Sequence, residues 1–396
     1  MNTSAEFSLW RLTPLVVGAF AIGVDASVLS GILLTVSTDL DTDPSTVGQA
    51  LAIFPLAFAI GAPIIASQVA GQSQRRIGMA GLLLFAAGNL VAMSGGVLLL
   101  AVGRLIAAIG ACAYLPNATA TAGASVPAAR SGRAVSLVLA GVTAATVIGV
   151  PLGVFVSSFV GWRLVLVAIA AISVIAALLQ GRSELADPNM QAISIRERLR
   201  LLADRRLISA LALTLVVVAG EYVVYSYLAL VVRDNVGAGP VMLTLVLTVF
   251  GAGTLVGTIL GGVLSDRFHW RPLLRITVTI VGAVLLSLSF VSGLAATLAV
   301  LFVWGAVGWT IVPTQLKRLI STYPSVRMLV VSLNSSSVFL GVSLGGLVGG
   351  WVIASYTTTA LCVFGAVCVW CSLFFLFTPG RPVVGESYDE GRSAVA

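Results

Sequence analysis

The sequence has little charge. Of its 396 residues only 9% are Asp, Glu, Lys or Arg, whereas 58% are hydrophobic, and the mean hydropathy is +1.07. Soluble domains carry about a quarter charged residues, so this composition excludes an ordinary water-soluble protein.

Residues for common catalytic and metal sites are also scarce. His269 is the only histidine and lies in a predicted cytoplasmic loop. Neither a zinc site nor a Ser-His-Asp triad can therefore be assembled. No G-x-x-x-x-G-K-[ST] loop occurs, so ATP coupling is not expected. The four cysteines lie in apolar runs without metal-type spacing and are expected to be buried thiols: Cys112, Cys362, Cys368 and Cys371. We expect no enzyme activity, metal or cofactor.

What the sequence has in quantity is long apolar runs. Each is about 20 residues long, enough to cross a hydrocarbon core of about 30 Å at 1.5 Å per residue. The first run is too long for a signal peptide and lacks a cleavage site. The pattern predicts an all-α integral membrane protein with twelve spans at 12–34, 47–69, 77–94, 97–122, 134–157, 163–180, 207–231, 240–262, 273–291, 294–314, 328–350 and 355–377.

The basic residues are distributed unevenly between the loops. Alternate loops, starting with the N-terminus, hold 19 of the 22 Arg and Lys residues, whereas the other loops hold only Arg163 and Arg233. The loop after the first span carries Asp39, Asp41 and Asp43. By the positive-inside rule, both termini and the central loop are cytoplasmic. The net charge of +7 therefore reports topology, and no nucleic-acid partner is expected.

The chain divides into two similar halves. We expect a six-helix bundle at 1–180, a cytoplasmic linker at 181–206 with a surface helix around Ser194 to Arg206, a second six-helix bundle at 207–378 and a tail at 379–396. At an offset of about 196 residues, Asp25 matches Glu221, and Gly149 and Gly153 match Gly345 and Gly349. A parallel duplication of this kind is typical of transporters that handle substrate between their halves.

Three charged residues lie deep within predicted spans: Asp25, Arg104 and Glu221. A charge at the centre of a membrane helix costs about 2.5–3.5 kcal/mol, so each needs a function or a partner. We expect at least one of the two acids to bind and release a coupling proton. In the alternative interpretation the acids are structural, with Arg104 as ion partner for the first helix, or with hydroxyls of Tyr222, Tyr225 or Tyr227 as partners.

Several segments resemble a known family. Gly262, Leu264, Asp266, Arg267 and Arg271 resemble the loop motif G-x-L-x-D-R-x-G-R-R/K of the major facilitator superfamily, with His269 and Trp270 at the expected Gly and Arg. At the first-half equivalent only Arg75 and Arg76 match, and Gly71 replaces the Asp. Arg104 with Gly110 resembles the motif of the fourth helix. Gly141, Gly149, Pro151 and Gly153, followed by Gly161-Trp162-Arg163, resemble the fifth-helix motif of antiporters.

The resemblance implies a twelve-helix fold in two bundles and alternating access driven by a proton gradient. Within the superfamily the chain is similar to the drug/proton antiporter-1 group, in the branch that exports sugars, purine nucleosides and chloramphenicol. The resemblance implies proton relay at Arg104, in addition to the coupling role expected of Asp25 and Glu221 from their depth in the spans. Pro151 removes a backbone donor and is expected to kink helix 5, where Gly149 and Gly153 permit close packing. The loop motif with Gly262 implies gating, because Asp266 paired with arginines such as Arg267 and Arg271 can latch one helix to its neighbour.

The expected function is proton-coupled efflux of a small molecule such as an antibiotic, nucleoside or sugar, by a monomer in a bacterial inner membrane. The alternatives are a proton-coupled uptake symporter and, more remotely, a membrane sensor or enzyme. Polar and aromatic residues in the spans are candidates for the substrate cavity: Tyr114, Asn117, Tyr225, Trp304, Trp309, Gln315 and Asn334.

Overall fold

The described part of the chain contains twelve apolar helices long enough to cross a membrane. The computed structural model describes residues 9–376 except 70, 128–129, 184, 188–202 and 238. The first six helices are Thr13–Gly31, Pro44–Gln68, Gln74–Met93, Val97–Ala124, Ser131–Val160 with an internal π-helical turn, and Trp162–Arg182. Helices 7 to 12 are Arg205–Tyr225, Pro240–Arg267, Trp270–Ser287, Leu294–Thr322 with a break at residues 309–310, Arg327–Ser355 and Thr358–Leu376, which ends in a 3₁₀ turn.

Two of the predicted spans are too long. Helix 1 ends at Gly31 and helix 7 ends at Tyr225, and each is followed by a separate short helix, Leu33–Asp39 and Leu228–Val236. The residues at the breaks, Ile32 and Tyr227, leave helical geometry with φ of −105° and −118°. Hydropathy did not reveal these breaks because the apolar run continues through both. The predicted surface helix around Ser194 to Arg206 lies mostly outside the described residues, and helix 7 already begins at Arg205.

Helix 5 changes its winding midway. Residues Ala145–Gly149 form a π-helical turn, and Pro151 lies in the first turn of the α-helical segment Val150–Val160. Proline has no N–H to donate and its ring crowds the preceding turn, so a wider turn just before it satisfies the backbone without a clash. The irregularity predicted at Pro151 therefore takes the form of a π-helical turn.

The two halves use glycine in the same way. A Cβ on Gly149 would overlap the side chain of Val24 in helix 1, and a Cβ on Gly345 would lie 2.5 Å from the carbonyl oxygen of Ala219 in helix 7. Helices 5 and 11 thus pack closely against the first helix of their own half. Small residues allow this approach in a membrane, where packing rather than water drives association.

The halves meet mainly near one end of the molecule. We call the end at which helix 1 begins and helix 12 finishes the basic end, and the other the opposite end. Towards the opposite end Ser343 Oγ of helix 11 donates to the Ala52 carbonyl of helix 2 at 3.0 Å. Nearer the middle the Phe58 and Phe339 rings lie 4.1 Å apart. In helix 5 the segments after Ala144 pack against helix 8, whereas Ser131–Ala144, at the basic end, packs instead on helices 1 and 4.

Candidate functional site

A buried ion pair joins helices 1 and 4. Arg104 Nη1 lies 2.6 Å from Asp25 Oδ2, and both side chains are almost fully buried. The guanidinium also lies over the Phe54 ring of helix 2, at 4.3 Å from its centroid. The predicted ion partner of Asp25 is therefore present. The pair keeps two opposite charges in the apolar interior because each compensates the other.

The Asp25–Arg104 pair keeps unused hydrogen-bonding capacity. Asp25 Oδ1 and Arg104 Nε are buried, and neither has a hydrogen-bond partner among the described residues. Buried polar atoms of this kind are uncommon and call for a physical reason. A site that must exchange a proton or accept a polar group of a solute would need such free capacity.

Glu221 occupies the matching place in the second half but has a different partner. Its Oε1 accepts a hydrogen bond of 2.9 Å from the Trp304 indole Nε1, so helices 7 and 10 are joined as helices 1 and 4 are. Glu221 forms no ion pair with any residue that the structure describes. Its partner is a neutral indole and not one of the tyrosine hydroxyls considered above. Gly308 makes room for the carboxylate, because a Cβ there would lie 2.6 Å from Oε1.

An aromatic cluster surrounds Trp304. The Phe250 ring lies 5.2 Å from Trp304, 5.7 Å from Trp309 and 5.4 Å from Tyr225, mostly in edge-to-face or tilted geometry. Such contacts are favourable and hold the rings in place. The structure thus brings together Tyr225, Trp304 and Trp309 of the predicted cavity set, beside Glu221. It adds Phe250, which the sequence did not distinguish from other apolar residues of helix 8.

The other cavity candidates lie elsewhere and join helices. Tyr114 Oη donates to the Leu15 carbonyl of helix 1, and Asn117 Nδ2 donates to the Gln74 carbonyl of helix 3. Gln315 Nε2 donates to the Ala210 carbonyl at 2.6 Å, and Asn334 Oδ1 accepts from Thr214 Oγ1 at 2.8 Å, both on helix 7. Gln315 and Asn334 lie together, because Thr214 Oγ1 also accepts from Gln315 Nε2 at 3.1 Å. Tyr114 and Asn117 lie in the first half, so the four side chains do not form one site.

The second-half loop motif is held together differently from the expected arginine pairing. Asp266 Oδ1 accepts from Lys317 Nζ of helix 10 at 2.7 Å, and the same ammonium donates to the Ser265 carbonyl. Both charged side chains are well exposed, so this pair contributes little stability by itself. Arg271 stacks over the Trp270 ring and does not pair with Asp266. Gly262 is not needed for close packing, because a Cβ added there would meet no other atom within 4 Å.

An acid of the central loop binds the start of helix 3 in the first half, where the loop motif has no Asp. Asp187 accepts hydrogen bonds from Ser73 Oγ and from the Gln74 and Arg75 amides at the start of helix 3. Partial burial opposes its charge, but these donors and the nearby Arg75 outweigh it and hold the pKa of Asp187 below its usual value. A carboxylate at a helix N-terminus also complements the helix dipole. Asp187 could not be predicted from the sequence because it lies far from helix 3 in the chain.

A second unpredicted cluster lies at the opposite end. Asp39 accepts from Trp162 Nε1 at 3.0 Å and from Arg163, and Arg163 Nε donates to the Met93 carbonyl at 3.1 Å. The cluster ties the short helix after helix 1 to helices 3 and 6. The Trp162 hydrogen bond, together with Arg163, lowers the pKa of Asp39. In the second half, Thr358 Oγ1 donates to Asp234 Oδ2 at the equivalent place.

Known proteins resemble this chain over nearly its whole length. Residues 15–324 and 210–394 match the Major Facilitator Superfamily. A chloramphenicol resistance protein of Streptomyces lividans is 30% identical over 87% of this chain and 89% of that protein. The inner membrane transport protein YdhP of Escherichia coli K12 is 25% identical over 94% of this chain and 96% of that protein.

Solved structures share the fold. A bacterial homologue of the human lysosomal transporter Spinster, in an inward-facing and occupied conformation, superposes with a TM-score of 0.77 at 17% identity over 95% of this chain and 97% of that chain. A D-xylose–proton symporter superposes with a TM-score of 0.75 at 17% identity over 93% and 97% of the two chains. The family and its relatives are transporters and not enzymes. With its twelve apolar helices, this chain is a multi-pass inner membrane protein and belongs to the Major Facilitator Superfamily.

Proposed function

We propose that the protein exports a small, largely apolar aromatic molecule, such as a chloramphenicol-type antibiotic, in exchange for protons. The observation that carries the proposal is Glu221, a buried carboxylate whose partner is the neutral Trp304 indole. A carboxylate without a cation at that depth is costly. Its charge is best neutralised by a proton or by a polar or cationic group of a bound solute.

Competition at Glu221 supplies the coupling. When a solute enters among Tyr225, Phe250 and Trp309, its polar group takes the place of the proton. When the solute leaves, a proton returns. Only one of the two occupants satisfies the carboxylate at a time, which makes the exchange an antiport.

Asp25 and Arg104 have a related role in the first half. The pair is charge-balanced but retains a free acceptor and a free donor, so protonation of Asp25 would release the guanidinium. We assign this pair to proton relay and to sensing the occupied state, with Glu221 as the primary exchange site.

Alternating access is supported by the asymmetry of the contacts between the halves. The contacts of helix 8 with helix 5 lie beyond Ala144, away from the basic end. The basic end is expected to be cytoplasmic from the distribution of Arg and Lys. On that orientation this conformation is open towards the cytoplasm and ready to load a solute for export. Entry of one proton down a potential of 100 mV provides about 2.3 kcal/mol.

Relatives add independent support. The chloramphenicol resistance protein is related over most of the chain, and an aromatic cluster beside a carboxylate suits a nitroaromatic or other planar solute by stacking and edge contacts.

The test is substrate-dependent proton movement in everted membrane vesicles energised to an acidic interior. Chloramphenicol, a purine nucleoside and a sugar are each added outside, and separately loaded inside. Antiport predicts alkalinisation of the interior when chloramphenicol is added outside. A symporter would alkalinise it only when solute is loaded inside, and a sensor or enzyme would respond in neither arm.

Single substitutions test whether Glu221 couples proton movement to solute transport. Glu221→Gln should abolish proton movement, and Trp304→Phe should weaken it, because it removes the indole donor but keeps an aromatic ring. Asp43→Asn is the matched control, since Asp43 is an exposed acid at the start of helix 2 whose side chain makes no capping bond. Full proton exchange in folded, inserted Glu221→Gln would refute the role of Glu221.

A further inference from the structure

A cavity of about 100 Å³ lies at the basic end of the second half, away from the site described above. It is enclosed by the ends of helices 7, 9, 10 and 12. Arginines from three helices line it together with aromatic and apolar side chains: Arg206, Arg271, Arg318, Trp270, Tyr323 and Leu376. The proposed transport mechanism does not use this cavity, and the Asp266–Lys317 pair of the loop motif does not line it.

Arg318 is the most informative of the lining residues. It is buried, with 9% of its surface exposed. Its guanidinium carbon lies 4.1 Å from the centroid of the Trp270 ring, and its Nη1 is 3.5 Å from Gln315 Oε1, beyond the usual range of a good hydrogen bond. Arg271 lies over the same ring at 5.1 Å. A buried guanidinium without a carboxylate is costly unless an anion is supplied.

The acid that bonds to the lining residue Tyr323 is already engaged. Asp204 Oδ2 accepts from Tyr323 Oη at 2.7 Å, and its Oδ1 accepts from the Arg206 amide at 2.8 Å as the cap of helix 7. Burial, and then the bond to Asp204, raise the pKa of Tyr323, which stays neutral and donating. Within the described part of the chain, none of the three cavity arginines forms an ion pair. Three positive charges therefore face one occupied carboxylate.

We propose that this cavity binds a phosphate group. Guanidinium groups present paired N–H donors that match the oxygens of phosphate, and each such charge-assisted bond is stronger than a neutral one. A cavity of about 100 Å³ holds several water molecules at about 30 Å³ each, and so has room for a tetrahedral oxyanion. The Trp270 ring orients Arg271 and Arg318, whose guanidinium groups stack on it and keep N–H groups for the ligand.

Two sources present this chemistry. One is the headgroup of an anionic phospholipid, which basic pockets between membrane helices bind on the cytoplasmic side. The other is phosphate free in solution. The lipid headgroup and free phosphate are distinguished by measuring the binding of each one alone.

The experiment measures binding to the purified full chain in detergent through the midpoint of thermal unfolding. Phosphatidylglycerol, phosphatidylcholine and inorganic phosphate are titrated separately, with sodium chloride at equal ionic strength as reference. Arg206→Gln and Arg271→Gln remove lining groups that are not fully buried, so the fold should tolerate them. Arg267→Gln is the matched control, because Arg267 is an exposed arginine nearby that does not line the cavity.

We expect a saturable rise in the midpoint for wild type and Arg267→Gln. Each lining variant should weaken the apparent affinity by about tenfold, the effect of losing one charge-assisted bond. A response to phosphatidylglycerol alone identifies a lipid headgroup, whereas a response to inorganic phosphate identifies a soluble anion. No response of the wild type to either anion, or equal responses of lining and control variants, would overturn the proposal. Transport is not the readout, so this result is independent of the proposed function.

Discussion

The Asp25–Arg104 pair allows a quantitative test of how charge is tolerated inside the bundle. The single variants Asp25→Asn and Arg104→Gln each leave one buried charge without its partner, which in comparable buried pairs costs about 3–5 kcal/mol. The double variant removes both charges and places two neutral amides where the ion pair was, still within reach of a hydrogen bond. We therefore expect the double variant to be more stable than Arg104→Gln alone.

The expected coupling energy between Asp25 and Arg104 follows from their distance and burial. The two groups lie 2.6 Å apart with almost no exposed surface, so water screens them little, and a coupling energy of about 2–3 kcal/mol is expected for a contacting buried pair. That corresponds to a factor of about 30 to 150 in the unfolding equilibrium. The loss in Arg104→Gln should also diminish at low pH, because a protonated Asp25 has no charge for Arg104 to balance.

The assay is a double-mutant cycle on purified protein, using the free energy of unfolding in one detergent at pH 8 and again at pH 5. Proton movement in vesicles is measured in parallel on each variant. Additive single effects, with a coupling below about 0.5 kcal/mol, would show that the pair does not act as a unit. That result would refute the reasoning from burial and distance.

Two further perturbations act at the opposite end. The lowered pKa of Asp39, caused first by the Trp162 hydrogen bond, means that its stabilising effect is present above the ordinary carboxyl pKa and is lost as the pH falls through the folded value. The difference in the free energy of unfolding between wild type and Asp39→Asn should therefore be largest near neutral pH and diminish as the pH falls below the ordinary carboxyl pKa. It should stay under about 1 kcal/mol because the group is partly exposed. Gly48→Ala should push helix 2 away from the Tyr227 hydroxyl, which the new Cβ would overlap, and should increase labelling of single cysteines placed at that end. Gly262→Ala, where a Cβ meets nothing, should leave labelling unchanged, and equal labelling in both variants would contradict a close contact at Gly48.

Local sequence was sufficient for the elements that depend on local chemistry. Runs of apolar residues predicted all twelve helices, because every spanning segment must satisfy its own backbone hydrogen bonds in lipid. The cost of an intramembrane charge marked Asp25, Arg104 and Glu221 without any knowledge of packing. Pro151 indicated where helix 5 departs from regular winding, because a missing N–H acts on its own helix.

Partners that lie far apart in the chain could not be predicted in this way. Nothing in the sequence distinguishes the Trp304 indole as the donor to Glu221, and Phe250 is one apolar residue among many in helix 8. Asp187 is linked to helix 3 only through the folding of the central loop. The loop motif suggested arginines for Asp266, but the approach of helix 10 places Lys317 there instead.

The sequence by itself therefore determined that the chain is a twelve-helix membrane protein with matched halves and three charges deep within its spans. Composition, helix length and the distribution of arginine depend only on the solvent in which each segment must reside. Only the tertiary structure decided that one acid is balanced by a cation while its counterpart is held by a neutral indole. That difference arises where helices 4 and 10 cross helices 1 and 7, and crossing is set by packing between segments that the linear order keeps about 80 residues apart.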